Sequence, residues 1–211
     1  MMYPVNEYFT TIQGEARWTG TPSFFLRLQG CDVGCHWCDT KHTWKLENLI
    51  ASVSDKTEDT DGYTYLTVES IINLVKESGV KHVVITGGEP ATYNLNPLTI
   101  GLLEQGFTVQ LETSGTYEIN CHPNVWVTVS PKENMKGGRS VLDSAISRAD
   151  EIKYPVGKQR DVEAARKYLG DVRVWLQPLS QSKKATELCV EACLTEGFNL
   201  SIQTHKFINV R

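Results

Sequence analysis

Three absences narrow what this 211-residue chain can be. It has no apolar run long enough to cross a bilayer. Its opening, Met1-Met2-Tyr3-Pro4-Val5-Asn6-Glu7, lacks a basic region followed by an apolar stretch, so neither a membrane span nor a secretory leader is expected. It also lacks positive charge to spare: 21 Lys and Arg against 25 Asp and Glu leave a formal charge of −4. With a pI near 5.8, that is a poor footprint for a nucleic-acid backbone. The expectation is a cytoplasmic protein with a small-molecule substrate, no direct nucleic-acid partner and no membrane partner.

The third absence is a fourth ligand. Half of the six cysteines crowd into Cys31-x3-Cys35-x2-Cys38, between Gly30 and Thr40. Three thiolates on a glycine-bearing loop can converge on one soft metal centre. A tetrahedral zinc normally takes four protein ligands; a 4Fe-4S cubane held by three cysteines keeps one iron open. Structural zinc completed by His36 or His42, a redox dithiol through Cys35 and Cys38, and inert buried thiols are the alternatives. Outside the crowd, Cys121 stands alone, and Cys189 and Cys193 lie four apart in an apparent helix facing a core.

Apolar residues at 40% and charged residues at 22% describe a globular chain, long enough for one full core. One domain over 1–211 is expected, with a polar insertion at about 41–65. The first twenty residues read as an extended segment and a turn. Ser23 to Leu28 is a strand delivering the chain into the cysteine loop. Arg27 is its one charge, either solvated at an edge or turned inward toward a carboxylate. Periodicity disappears from Lys41 to Tyr65, and Ser54 to Gly62 reads as a mobile surface loop without the ligand alternation of a calcium site.

Order returns with Thr67 as an N-cap and Val68, Ile71, Ile72 and Val75 as one helical stripe ending at Gly79. A strand over Val80–Thr86 stops at Gly87-Gly88-Glu89-Pro90. Asn96 is expected to cap a short helix that Gly106 closes. Strands at Phe107–Leu111, Val125–Val129, Glu151–Tyr154, Val172–Gln177 and Asn199–Gln203 follow, with helices at about Val162–Leu169 and Lys183–Glu196. The stretch between Ser114 and Val125 is too short for a good helix. Strands alternating with helices predict an α/β fold: a modified, incomplete (β/α) barrel with mostly parallel strands. Chemistry then gathers beyond the strands' carboxyl ends, where the cysteine loop, Gly87-Gly88-Glu89-Pro90, Glu112, Lys132, Gln177 and Gln203 fall.

The cysteine spacing, with an aromatic just before the last cysteine, resembles the signature of the radical S-adenosylmethionine superfamily, and Gly87-Gly88-Glu89-Pro90 after a strand resembles its second motif. Nearly the whole chain resembles a narrower family, the 7-carboxy-7-deazaguanine synthases of queuosine precursor synthesis. The matching features are Phe9-x3-Gln13-Gly14-Glu15, Gly20-x-Pro22, Phe25-x-Arg27-x3-Cys31, Cys38-Asp39-Thr40, Glu112-Thr113-Ser114-Gly115 and Ser130-Pro131-Lys132.

That resemblance implies a lyase contracting the ring of 6-carboxy-5,6,7,8-tetrahydropterin with loss of ammonia. It implies one 4Fe-4S cluster on Cys31, Cys35 and Cys38, S-adenosyl-L-methionine, Mg2+, a homodimer, and a flavodoxin or ferredoxin as reductant. By position, Trp37, Gly87, Gly88, Glu89, Ser114, Ser130 and Lys132 would meet S-adenosylmethionine. Ile12, Gln13, Gly14, Glu15, Arg27 and Thr86 would border the substrate. Arg27 suits its carboxylate on chemical grounds as well. Thr40 would lend its hydroxyl to magnesium; read alone, it is a loop cap.

The chain departs from the family pattern in three places. The 41–65 segment is longer and more acidic than expected, and Ala16 stands where relatives often carry a second glycine. The end at Val210-Arg211, near His205, leaves open whether a terminal carboxylate reaches the substrate. The activating enzyme of a glycyl-radical enzyme, which would share the cysteine spacing, and a zinc-stabilised binding protein are the rival readings.

Overall fold

The computed structural model describes residues 1–54, 59–170 and 172–210, the side chain of residue 181 excepted. In chain order the elements are β1 (Met2–Ile12), β2 (Pro22–Leu28), β3 (Thr64–Thr67), α1 (Val68–Ser78), β4 (His82–Gly87), α2 (Asn96–Glu104), β5 (Thr108–Thr113) and β6 (Trp126–Val129). After them come α3 (Asp143–Arg148), β7 (Glu151–Val156), α4 (Gln159–Ala165), β8 (Arg173–Pro178), α5 (Lys183–Glu196), β9 (Asn199–Leu200) and α6 (Thr204–Phe207). The strands form one nine-stranded sheet in the order β3-β1-β2-β4-β5-β6-β7-β8-β9. β1 pairs antiparallel with β2 and β3; every pairing from β2 to β9 is parallel.

Sheets buried on both faces usually read as continuous apolar runs. These strands instead alternate. Val109 and Leu111 on β5, Val127 and Val129 on β6, Ile152 on β7, and Val174 and Leu176 on β8 are buried in the hydrophobic cluster. Ile71, Val75, Leu98, Leu102, Val162 and Cys189 of the covering helices complete it. Their neighbours Gln110, Glu112, Thr128, Glu151 and Lys153 hydrogen-bond to one another or to the segment after β1. A two-residue period sends polar side chains to one face of the sheet, and that face is the inner wall of a partial barrel.

The edges β3 and β9 do not pair with each other. The segment after β1 crosses the opening instead: Ala16 N donates to Ser201 Oγ at 2.9 Å and Thr204 N to Gly14 O at 3.0 Å. This contact explains Gly14, because a Cβ there would fall 2.1 Å from His205 Nδ1.

Local signals account for most boundaries. Thr67 Oγ1 accepts from Ser70 N at 3.1 Å, and Gly79 ends α1 with φ 74. As expected, no helix forms between β5 and β6. Other expectations are corrected. β2 lies between β1 and β4, so Arg27 is not at an edge. Asn96 does not cap α2; its N–H is taken by Asn94 Oδ1 at 3.1 Å and Leu95 occupies the cap position. The helix expected from Val162 starts at Gln159, where the Asp161 carboxylate accepts from the N–H groups of Gly157 and Lys158.

The 41–65 segment carries more structure than its polarity suggested. Gln29 Nε2 donates to the carbonyls of His42, Lys45 and Asp61, and Asn6 Nδ2 to those of Thr60 and Gly62. Val53 and Tyr63 are buried, and β3 begins at Thr64. The centre of the mobile loop expected over Ser54–Gly62, residues 55–58, lies outside the described residues.

Candidate active site

A cleft of about 360 Å3 opens at the carboxyl ends of the parallel strands. The residues assigned by resemblance to cluster, S-adenosylmethionine, magnesium and substrate line it: Ile12, Gln13, Gly14 and Glu15 after β1, Arg27 on β2, and Cys31, Cys35, Trp37, Cys38 and Thr40 on the loop beyond. Thr86, Gly87, Gly88 and Glu89 close β4, Ser114 follows β5, and Ser130 and Lys132 follow β6. His36 is absent from the lining and packs edge-on against Trp37, 4.3 Å between centroids. Lys153 lines the cleft without having been anticipated; a lysine in a short strand gives no local signal of what it faces. Phe9, Phe25, Trp44 and His205 also line it.

The two glycine-bearing motifs meet backbone to backbone. Gly88 N donates to Leu28 O and Glu89 N to Gly30 O, both at 2.8 Å. A Cβ on Gly87 would lie 2.3 Å from Leu28 O, and one on Gly88 would lie 2.2 Å from Gly30 O. Only glycine permits this approach. Glu89 is buried, and its carboxylate takes Ala91 N at 2.9 Å, Thr113 Oγ1 at 2.5 Å and Ser114 N at 2.8 Å. It thereby ties the end of β4 to the end of β5.

The cysteine loop is held from the other side. Gly137 N donates to Val33 O at 3.0 Å. Asp32 receives Arg139 through Nε at 2.8 Å and Tyr117 OH at 2.8 Å. Among the described residues, the one trio of metal-ligating side chains with ligand atoms all within 4.8 Å of one another is Glu7, His42 and Asp59; Cys31, Cys35 and Cys38 line the cleft together. All three are free thiols. Burial pushes Cys31 up to about 11 and raises Cys35; a metal bound here would have to supply the charge that turns such thiols into thiolates.

The floor is a buried charge network. Arg27 Nε meets Glu7 Oε1 at 2.6 Å across the β1–β2 pair, the inward carboxylate pairing that was one of its two readings. Lys153 Nζ bonds both Glu15 Oε2 and, at 2.6 Å, Glu112 Oε2. Burial alone would lower Lys153, but Glu112 and Glu15 outweigh it and hold the ammonium well above its usual range. Against the same burial, Lys153 and the Gln203 amide bring Glu15 down to about 2. Lys132 Nζ donates to Ser130 Oγ at 2.5 Å, and burial lowers its pKa. Thr40 does not cap the turn it begins: its hydroxyl makes no cap bond and lies 3.6 Å from Cys38 Sγ.

With this geometry in place, comparison with known proteins is decisive. The profile of the Radical SAM superfamily matches residues 26–120, the span from β2 past the second motif. The 7-carboxy-7-deazaguanine synthase of Escherichia coli (strain K12) is 50% identical over the full length of both chains. The chain belongs to the 7-carboxy-7-deazaguanine synthase family. Synthases of that name from Buchnera aphidicola subsp. Schizaphis graminum (strain Sg) and Synechocystis sp. (strain ATCC 27184 / PCC 6803 / Kazusa) are 43% and 34% identical. They cover 100% and 99% of this chain, which spans 100% and 94% of theirs. The crystal structure of QueE from Escherichia coli superposes with a TM-score of 0.91 at 50% identity, covering 96% of this chain and 94% of that one. The fold is thus that of a radical SAM enzyme. Among the described residues no helix is long and apolar enough to cross a membrane.

Proposed function

We propose that the chain converts 6-carboxy-5,6,7,8-tetrahydropterin to 7-carboxy-7-deazaguanine and ammonia, supplying a precursor of queuosine. Product and ammonia together account for every atom of the substrate, so the conversion consumes no oxidant. The observation that carries this reading is the meeting, in one cleft, of the three cysteines with a floor built from Gln13, Glu15 and Arg27.

Bound at Cys31, Cys35 and Cys38, a 4Fe-4S cluster with S-adenosyl-L-methionine supplies a hydrogen-abstracting adenosyl radical. The chain's own residues bind and orient. Gly87, Gly88 and the Glu89 loop bring the second motif against the cysteine loop, and with Trp37, Ser114, Ser130 and Lys132 they form the S-adenosylmethionine wall. Arg27 offers a planar guanidinium to the substrate carboxylate while Glu7 fixes its angle. Gln13, Glu15, Thr86 and the backbone at Ile12 and Gly14 border the ring. The Thr40 hydroxyl, unused by its own turn, is the magnesium ligand; a hard cation with few protein ligands suits a chelating substrate.

A homodimer, a flavodoxin or ferredoxin reductant, and a cytoplasmic setting without nucleic-acid or membrane partners belong to the same proposal. The test is anaerobic reconstitution with iron and sulfide, followed by incubation with the pterin, S-adenosyl-L-methionine, Mg2+ and dithionite. The expected result is a brown protein yielding 7-carboxy-7-deazaguanine; full cluster loading without product overturns the assignment.

A further inference from the structure

Lys153 sits at the third position of β7, its side chain only 7% exposed. A buried ammonium is tolerated only when paired, and here it holds Glu15 Oε2 and Glu112 Oε2 at once. The other oxygens are taken by amides: Glu15 Oε1 by Gln177 at 3.2 Å and Gln203 at 2.8 Å, Glu112 Oε1 by Gln13 at 3.0 Å and Gln110 at 3.4 Å. The oxygens of these amides are engaged in turn, by Glu15 N, the Gln13 amide, Ser201 Oγ and Lys206 Nζ.

An ammonium has three donors, and each carboxylate oxygen accepts twice. Among the described residues, therefore, one N–H of Lys153 and one lone pair on each of Glu15 Oε2 and Glu112 Oε2 are left for a ligand. One donor and two acceptors match in number the groups on the 2-amino-4-oxo edge of a pterin, whose carbonyl accepts and whose N3–H and amino group donate. We propose that Lys153 is a substrate-binding and positioning residue. It keeps Glu15 and Glu112 ionised at fixed spacing beneath the ring, and its third N–H meets the ring carbonyl. This rests on the pterin reading above.

The charged groups facing Lys153 are Glu15, Glu112, Lys132 and His205. Without its ammonium, two neighbouring carboxylates repel and take up a proton, which removes one acceptor. The test uses cluster-loaded wild type, Lys153→Met, Lys153→Arg and the double variant Lys153→Met with Glu112→Gln. The double variant keeps the net charge of the trio.

Lys153→Met is expected to raise the pterin KM at least thirtyfold and to move the acid limb of kcat/KM up by at least one pH unit. Iron content and S-adenosylmethionine binding stay within twofold. Lys153→Arg stays within fivefold with the limb unmoved, and the double variant restores the limb but not KM. A pterin KM within threefold of wild type in Lys153→Met, or a raised KM with an unmoved limb, overturns the proposal. Should Lys153→Met fail to fold, a KM within threefold in the double variant overturns it equally.

Equilibrium titration of the pterin onto the same proteins separates the two readings. A wild type that binds the pterin but forms no deazaguanine defeats the reaction assignment alone, and Lys153 is then judged on affinity. A wild type that does not bind it defeats both.

Discussion

Gly88 lies so close to Gly30 that a Cβ on the former would fall 2.2 Å from the carbonyl oxygen of the latter. The contact presses the loop after β4 onto the loop that carries the three cysteines, with Gly88 N on Leu28 O and Glu89 N on Gly30 O. Gly88→Ala must push the two apart. We expect a loss of about 1–3 kcal/mol in stability and a larger proportional loss of function, read as iron per chain falling below a third of wild type. Retention of full iron would show that the two loops need not touch.

The six cysteines divide into two groups by environment. Cys31, Cys35 and Cys38 line the cleft. Cys189 is fully buried in the hydrophobic cluster, and Cys121 and Cys193 pack against it. Alanine at any of the first three is expected to abolish the visible 4Fe-4S absorbance. Alanine at any of the other three should leave absorbance and iron counts within error and cost ~1 kcal/mol of packing.

Glu15 carries a pH signature of its own. Its carboxyl is brought from the ordinary 4.5 down to about 2, because Lys153 and Gln203 favour the charged form more than burial opposes it. A depressed folded pKa means stability that is complete above the unfolded value and lost as pH falls from there through the folded one. Denaturant unfolding between pH 6 and pH 2 should show a steep acid limb in wild type, shallower in Glu15→Gln. Equal limbs would mean that Glu15 is not held ionised.

Ala16 adopts φ 51, the left-handed region that disfavours L side chains. The turn there is fixed by Ala16 N on Ser201 Oγ and by Thr19 on Ala16 O. Ala16→Gly relieves about 1–2 kcal/mol of backbone strain against roughly 0.5–1 kcal/mol of added unfolded-state entropy. A net gain of about 0.5 kcal/mol should appear in chemical denaturation. A lower denaturation midpoint would show that the methyl group's packing outweighs the strain.

Much of this architecture could be read along the chain because its causes are local. The stripe Val68, Ile71, Ile72 and Val75, capped by Thr67 and closed by Gly79, contains everything that makes α1 a helix. The crowding of Cys31, Cys35 and Cys38 is visible from spacing alone. Where a local cue misled, a neighbour was responsible: Asn94, not Asn96, takes the free N–H at the start of α2. The 41–65 stretch looked featureless because its order comes from Asn6 and Gln29, side chains of β1 and the loop after β2.

By itself the sequence determined the cysteine loop, the Gly-Gly-Glu-Pro turn and the alternating strands, since each depends on residues within a few positions of one another. Only the tertiary structure decided that Lys153 stands between Glu15, 138 residues before it, and Glu112, 41 residues before it. Such a pairing has no spacing to betray it. It exists because β5 and β7 flank β6 in one sheet while the segment after β1 crosses the opening, and because a buried ammonium is stable only where folding brings carboxylates to meet it.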